Sequence, residues 1–225
     1  MIDQNVNLDW RDGNTPVSTQ FDDPYFSLED GLEETRHVFL AGNMLPDRFR
    51  PEFHIAELGF GTGLNLLTSW MAWDASGQNT PLQFTSFEAF PMSAPDMRQA
   101  LVAFPELYNY AERLVQAWSE DPSLSTLAGI DARVILGDAR KTLVQQGFKA
   151  DAWFLDGFSP AKNPELWGAN LMLQVSEHTK FDGTAATYTS AGLVRRNLAE
   201  AGFNITRVAG YGRKRHMIVA QKRAS

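Results

Sequence analysis

An α/β layered fold with a mostly parallel sheet is predicted by three features of this 225-residue chain. Strand-like and helix-like segments alternate five times, and two more strand-like segments finish the chain. A strand candidate ending at Leu58 runs into a glycine-rich turn, Gly59-Phe60-Gly61-Thr62-Gly63, where a helix begins. The run Ala152-Trp153-Phe154-Leu155 is apolar throughout, as a central parallel strand should be, and ends in Asp156. In an open parallel sheet ligands bind at the carboxyl ends of strands. The loops after Leu58 and Leu155 are therefore where chemistry is expected.

The elements follow in order. The first fifty residues read as irregular, with turns at Asp12-Gly13-Asn14 and Asp22-Asp23-Pro24, then a helix over 31–41. Residues 53–58 form a strand. Leu64, Leu67 and Met71 stand at helical spacing, predicting a helix over 64–73. Residues 82–87 alternate as a second strand. Residues 92–118 read as helical, interrupted at Pro95 and Pro105. A third strand over 132–136 precedes a helix near 141–146, and 152–155 is the fourth strand. A helix over 165–180 leads to a fifth strand at 183–188. The helix over 191–201 is closed by Gly202. Residues 203–208 and 216–220 then pair as an antiparallel hairpin across Gly210-Tyr211-Gly212.

Composition removes several classes of function. With no cysteine, disulfides, thiolate metal sites and thiol catalysis are excluded. The four histidines, His37, His54, His178 and His216, are not spaced as zinc ligands, so no metal is expected. No apolar run is long enough to span a bilayer. Met1-Ile2-Asp3-Gln4-Asn5 lacks the basic start of a secretion signal. A cytoplasmic protein without a membrane partner is the expectation. The net charge is −7, unevenly spread: residues 1–34 carry nine acidic side chains and one basic, and 193–225 carry eight basic and one acidic. The basic end suits a polyanion; a solvated basic surface is the plainer alternative.

The glycine turn has the form G-x-G-x-G, not the G-x-G-x-x-G of dinucleotide sites. Glu57 stands two residues before Gly59, where a carboxylate would repel a pyrophosphate. It suits an ammonium or a sulfonium, and S-adenosyl-L-methionine carries both. Gly59, Gly61 and Gly63 allow close backbone approach, and Asn65 follows at the helix start. Glu88 ends the second strand, where an acidic residue bonds ribose hydroxyls. Asp138 ends the third strand. Its carboxylate can accept from an adenine amine while the Ala139 amide reads a ring nitrogen, or it can cap a helix. Asp156 is the expected catalytic residue. It would accept a hydrogen bond from a substrate amine, orient its lone pair and take its proton. Phe158 and Trp153 would face the site, packing on a flipped base or closing it, or, for Trp153, pack in the core. Pro160 stiffens the loop, and Lys162 meets a phosphate or stays solvated.

Longer stretches carry a resemblance across nearly the whole chain. They include Gly13-Asn14-Thr15-Pro16-Val17-Ser18, Phe21-Asp22-Asp23-Pro24-Tyr25-Phe26-Ser27 and Gly31-Leu32-Glu33-Glu34-Thr35-Arg36. Further on come Gly59 to Asn65, Asp151 to Phe158, Thr189-Ser190-Ala191-Gly192 followed by Val194-Arg195-Arg196, and Gly212-Arg213-Lys214-Arg215. Together they resemble the methyltransferase part of the MnmC family of tRNA wobble-uridine modification enzymes and its stand-alone MnmD relatives. The resemblance implies a class I (Rossmann-like) methyltransferase with a seven-stranded, mostly parallel sheet, a terminal antiparallel hairpin and an N-terminal extension. Residues 1–50 would cap the cofactor and help shape the base pocket through Asp22, Asp23, Tyr25, Glu33, Glu34 and Thr35, or pack on the sheet edge; residues 51–225 would form the methyltransferase domain. The implied reaction converts 5-aminomethyl-2-thiouridine to 5-methylaminomethyl-2-thiouridine at the tRNA wobble position. The implied partner is the tRNA anticodon stem-loop, met by Arg195, Arg196, Arg213, Lys214 and Arg215. No FAD-dependent oxidase activity is expected of this chain; a separate or formerly fused oxidase would be a partner. The alternative is a class I methyltransferase acting on a small-molecule or protein amine. A non-catalytic nucleotide-binding module is a further reading.

Overall fold

The protein is described by a computed structural model over residues 6–125 and 127–223. The reading of Met1–Asn5 lies outside the described residues. Three short strands open the chain as an antiparallel sheet: β1 (Leu8–Arg11), β2 (Thr15–Ser18) and β3 (Asp23–Pro24). The sequence predicts only turns here. The turns join real strands of two to four residues; β1 alternates Leu8 and Trp10 with Asp9 and Arg11, but over too short a run to mark a strand.

The main sheet has seven strands: β4 (His54–Leu58), β5 (Gln83–Glu88), β6 (Asp131–Leu136), β7 (Ala150–Leu155), β8 (Thr179–Thr187), β9 (Phe203–Ala209) and β10 (His216–Lys222). Their order is β6-β5-β4-β7-β8-β10-β9, and β10 runs antiparallel to both its neighbours. From β4 the chain builds outward through β5 and β6, then returns to β7 on the other side. The reversal of strand order therefore lies between β4 and β7, where an open α/β sheet forms its binding crevice. Leu58 pairs with Leu155 across that boundary. Gly59 and Asp156 thus leave the sheet side by side.

Strand β7 shows why this centre is stable. All six of its residues are buried. Ala152 and Phe154 join the core on one face with Ile55, Leu67, Trp70 and Leu114. Trp153 and Leu155 join the core on the other face with Phe87, Leu171, Met172 and Leu198. The large side chains among them, such as Phe154 and Leu155, each contribute about 1.5–3 kcal/mol on burial. Trp153 is fully buried, so of its two expected roles it takes core packing.

The helices differ from expectation mainly at their ends. Helix α1 (Gly31–Thr35) is capped by Asp30 and passes into a π-helical turn over Arg36–Leu40. Helix α2 (Leu64–Ala75) follows the glycine turn. Residues 92–118 form two helices, α3 (Ala94–Leu101) and α4 (Tyr108–Glu120). Pro95 starts α3 behind the Ser93 cap rather than interrupting a helix. Helix α5 (Ala139–Thr142) is short, and the segment 165–180 is split by the extended Gly168 into a 3-10 turn over Pro164–Trp167 and α6 (Ala169–Glu177), with Thr179 already in β8. Helix α7 (Gly192–Glu200) ends as the sequence predicts. Leu32, Val38, Phe39 and Phe49 enter the main core, so this part of the N-terminal fifty residues packs with the sheet.

Candidate active site

A cavity of about 1360 Å³ lies over the carboxyl ends of the central strands. The β4–α2 turn and the β7 loop form its floor. Gly59 has φ +87°, and a Cβ there would lie 2.9 Å from the Asp156 carbonyl oxygen. Glycine is what lets the two loops touch. Gly61 lines the cavity and donates its N–H to Glu88 Oε2 at 2.9 Å. Gly63 does not line the cavity. A Cβ there would meet Leu114 at 2.6 Å, so helix α4 explains this glycine, not a ligand.

Asp156 stands in the cavity wall. Its Oδ1 accepts from Gly157 N at 2.8 Å and its Oδ2 from Asn65 Nδ2 at 2.9 Å. Burial pushes its carboxyl up to about 6; the Gly157 and Asn65 donors oppose that rise. The other Asn65 Nδ2 hydrogen goes to Glu57 Oε1 at 2.8 Å, and Asn65 Oδ1 accepts from Thr35 Oγ1 at 3.1 Å. Asn65 is therefore a bridge between two carboxyls.

Glu57 corrects the sequence reading. It is fully buried within β4, does not line the cavity, and takes its second hydrogen bond from Ser86 Oγ at 2.6 Å. Burial pushes its carboxyl well above the usual range. It faces Asn65 and Ser86.

Glu88 lines the cavity at the end of β5. Its Oε1 accepts from Phe90 N at 2.7 Å, which with Gly61 uses two of about four carboxylate lone-pair sites. Asp138 also lines the cavity, but its side chain caps α5 and is gripped by Arg140, with Nη2 to Oδ2 at 2.7 Å. Arg140 holds its carboxyl below the usual range. Of its two expected roles the cap is present, and Ala139 beside it also lines the cavity. Tyr25 lies against Gly61 and meets Phe158 edge-on at 5.1 Å. Its hydroxyl is buried with no hydrogen-bond partner, and burial together with Glu88 pushes its pKa up.

The basic residues divide. Lys162, Arg213 and Lys214 line the cavity, but each is paired with an N-terminal carboxylate. Lys162 Nζ lies 3.1 Å from Asp22 Oδ2, Arg213 Nε 2.9 Å from Glu29 Oε1, and Lys214 Nζ 2.7 Å from Glu34 Oε1. The acidic start and basic end of the chain thus bind each other. Arg195 and Arg196 sit in a separate groove of about 330 Å³ with Arg207. Pro160 and Arg215 line neither.

Sequence reasoning missed one residue of the wall, at the end of β8. Tyr188 lies just beyond β8, donates to the Gly157 carbonyl at 2.7 Å, and has Lys214 Nζ 4.1 Å above its ring. Its place at a strand's carboxyl end was the available signal. Glu34 and Thr35, which belong to an N-terminal run expected to cap the cofactor and shape the base pocket, both line the cavity. Among the described residues no cluster of side chains is suited to hold a metal.

A family model described as "S-adenosyl-L-methionine-dependent methyltransferase" matches residues 105–223. The chain belongs to that family. The chain is 45% identical, over 96% of its length, to the tRNA 5-methylaminomethyl-2-thiouridine biosynthesis bifunctional protein MnmC of Pseudomonas aeruginosa. The Pseudomonas paraeruginosa protein of the same name is also 45% identical. The chain spans about a third of the length of these curated relatives, 35% in each case. Among solved structures it is similar to MNMC2 from Aquifex aeolicus, with a TM-score of 0.80 and 28% identity, over 99% of this chain and 73% of that one. The Streptomyces venezuelae DesVI structure, at a TM-score of 0.51 and 12% identity, shares the fold. The resemblance to the MnmC methyltransferase part and the class I fold expected from sequence are both borne out.

The cavity fits the cofactor of this methyltransferase family. The orphaned Tyr25 hydroxyl and the spare acceptor sites of Glu88, beside Gly61 with no side chain to fill the space, suit a ligand with hydroxyl and amine donors.

Proposed function

We propose that this methyltransferase converts 5-aminomethyl-2-thiouridine at the tRNA wobble position to 5-methylaminomethyl-2-thiouridine. The observation that carries the chemistry is Asp156: a half-buried carboxylate at the switch point, held by Asn65 and Gly157 beside the glycine turn. The name of the Pseudomonas relatives supports the substrate.

S-adenosyl-L-methionine supplies an electrophilic methyl group. Gly59, Gly61 and Tyr25 would hold it, Glu88 would take its ribose hydroxyls, and the Asp138–Ala139 loop its adenine. Asp156 accepts a hydrogen bond from the substrate amine. The amine must be neutral to attack, whereas an alkyl ammonium has a pKa of about 10. Asp156 would orient the nitrogen lone pair and accept the proton that the amine loses as the N–C bond forms and the cofactor's S–C bond breaks to leave a neutral thioether. Fixing nitrogen and methyl at about 3–3.5 Å supplies most of the acceleration. The target base leaves its stack to reach Asp156, and Phe158 offers it an aromatic face. Lys162, Arg213 and Lys214 at the rim, and Arg195, Arg196 and Arg207 in their groove, contact the phosphate backbone of the anticodon stem-loop. Arg215 extends that basic surface; Pro160 stiffens the loop.

The reading places the protein in the cytoplasm with tRNA, where a separate or fused FAD-dependent oxidase supplies the amine. No helix among the described residues is long and apolar enough to cross a membrane. Incubation with methyl-labelled cofactor and tRNA bearing the aminomethyl group tests the proposal. Label should enter that tRNA and not one lacking the aminomethyl group; transfer to small amines alone would refute it.

A further inference from the structure

Two consecutive residues of the N-terminal segment stand where a nucleotide would. The Phe21 ring stacks on Phe158 with centroids 4.6 Å apart and planes at 23°, and meets Phe90 edge-on at 5.4 Å. Asp22 follows. Its carbonyl oxygen accepts from Lys162 Nζ, which also lies 3.1 Å from Asp22 Oδ2 and 3.8 Å from Asp23 Oδ1. An aromatic plane on Phe158 and a negative charge on Lys162 are thus joined by one backbone step, as a base and its phosphate are joined by one sugar.

Two features mark this contact as exchangeable. Asp22 holds a positive φ of 48°, a conformation that costs energy for any residue but glycine. Its side chain is 81% exposed, so its ion pair is weak and readily replaced. The pattern repeats at Glu29 on Arg213 and Glu34 on Lys214: carboxylates of the N-terminal segment cover cations of the cavity rim.

We propose that Phe21 and Asp22 plug a nucleotide subsite. The incoming base takes the place of the Phe21 ring on Phe158, its phosphate takes that of Asp22 on Lys162, and the segment holding Phe21 and Asp22 shifts to admit them. This deepens the tRNA reading and rests on it for the identity of the nucleotide. Apparent affinity is then lowered by the fraction of molecules whose plug is closed. Phe21 becomes a discriminator: a ligand too small to stack on Phe158 gains nothing by displacing it.

The test measures binding of uridine 5′-monophosphate, of aminomethyl-bearing tRNA and of cofactor to the full chain, wild type, Phe21→Ala and Asp22→Asn. Asp22→Asn keeps the ring and tolerates the left-handed backbone. Phe21→Ala should bind the nucleotide about three- to tenfold tighter, the range set by losing one aromatic pair, and Asp22→Asn about two- to fivefold tighter, the range of an exposed ion pair, with cofactor affinity unchanged in both. Nucleotide binding that is unchanged or weaker in both would overturn the proposal. So would loss of cofactor binding in Phe21→Ala, because Phe21 would then be a fixed wall of the cofactor site. If wild type fails to methylate the tRNA yet both variants bind the nucleotide tighter, the substrate reading fails and the plug stands.

Discussion

The Asn65 amide holds Asp156: its Nδ2 lies 2.9 Å from Asp156 Oδ2 and 2.8 Å from Glu57 Oε1, so both amide hydrogens end on carboxyl oxygens. Thr35 fixes which way the amide points by donating to its oxygen. A residue of the helix that follows the glycine turn thereby sets the geometry of the group expected to do the chemistry.

Asn65→Ala should therefore act through Asp156. The buried Glu57 and the half-buried Asp156 each lose a donor, and stability should fall by about 1–3 kcal/mol in urea titration. Because the Asn65 hydrogen bond lowers the Asp156 pKa, its loss should move the acid limb of the kcat profile to higher pH. The rate should drop about 10- to 100-fold through misplacement. An unshifted pH profile would make Asn65 merely structural.

Asp156→Asn separates catalysis from stability. The folded carboxyl, near 6, lies above its ordinary value of 3.8, so the folded state holds the proton more tightly. That contribution to stability is full below about 4 and is lost as pH rises through about 6. The variant should gain about 1–3 kcal/mol over wild type at pH 8 relative to pH 4, read by denaturant unfolding at the two pH values. Its methyl transfer should fall about 10²- to 10⁴-fold.

Gly61→Val should block the cofactor. Gly61 has φ +54°, and an added Cβ would sit 3.1 Å from the Tyr25 ring. Calorimetric cofactor affinity should fall by about tenfold or more, the scale of an overpacked site. Wild-type affinity would contradict the assignment of this turn.

Arg195, Arg196 and Arg207 form no ion pair among the described residues, unlike Lys162, Arg213 and Lys214. Replacing each by alanine should weaken tRNA binding and lower the slope of log affinity against log salt by about one per arginine. A slope unchanged in the triple variant would place the RNA elsewhere.

Much of this architecture was legible because it rests on local signals. Continuous apolar character marked β7, glycine marked the turn after β4, and strand ends marked Glu88, Asp138 and Asp156. What stayed hidden depends on side chains meeting from distant positions. Glu57 looked like a ligand for a cation, but its place one residue inside β4 turns it toward Asn65 and Ser86. Gly63 looked like part of a cradle, and Leu114, fifty positions on, explains it. The basic end looked free for a polyanion, but Glu29 and Glu34 already hold Arg213 and Lys214.

The most direct test is single-turnover methyl transfer to aminomethyl-bearing tRNA, with cofactor saturating, for wild type and Asp156→Asn. Labelled 5-methylaminomethyl-2-thiouridine should appear at the wobble nucleoside with wild type, and at about 1% of that rate or less with the variant at equal cofactor affinity. Equal rates, or label in another nucleoside, would contradict the account.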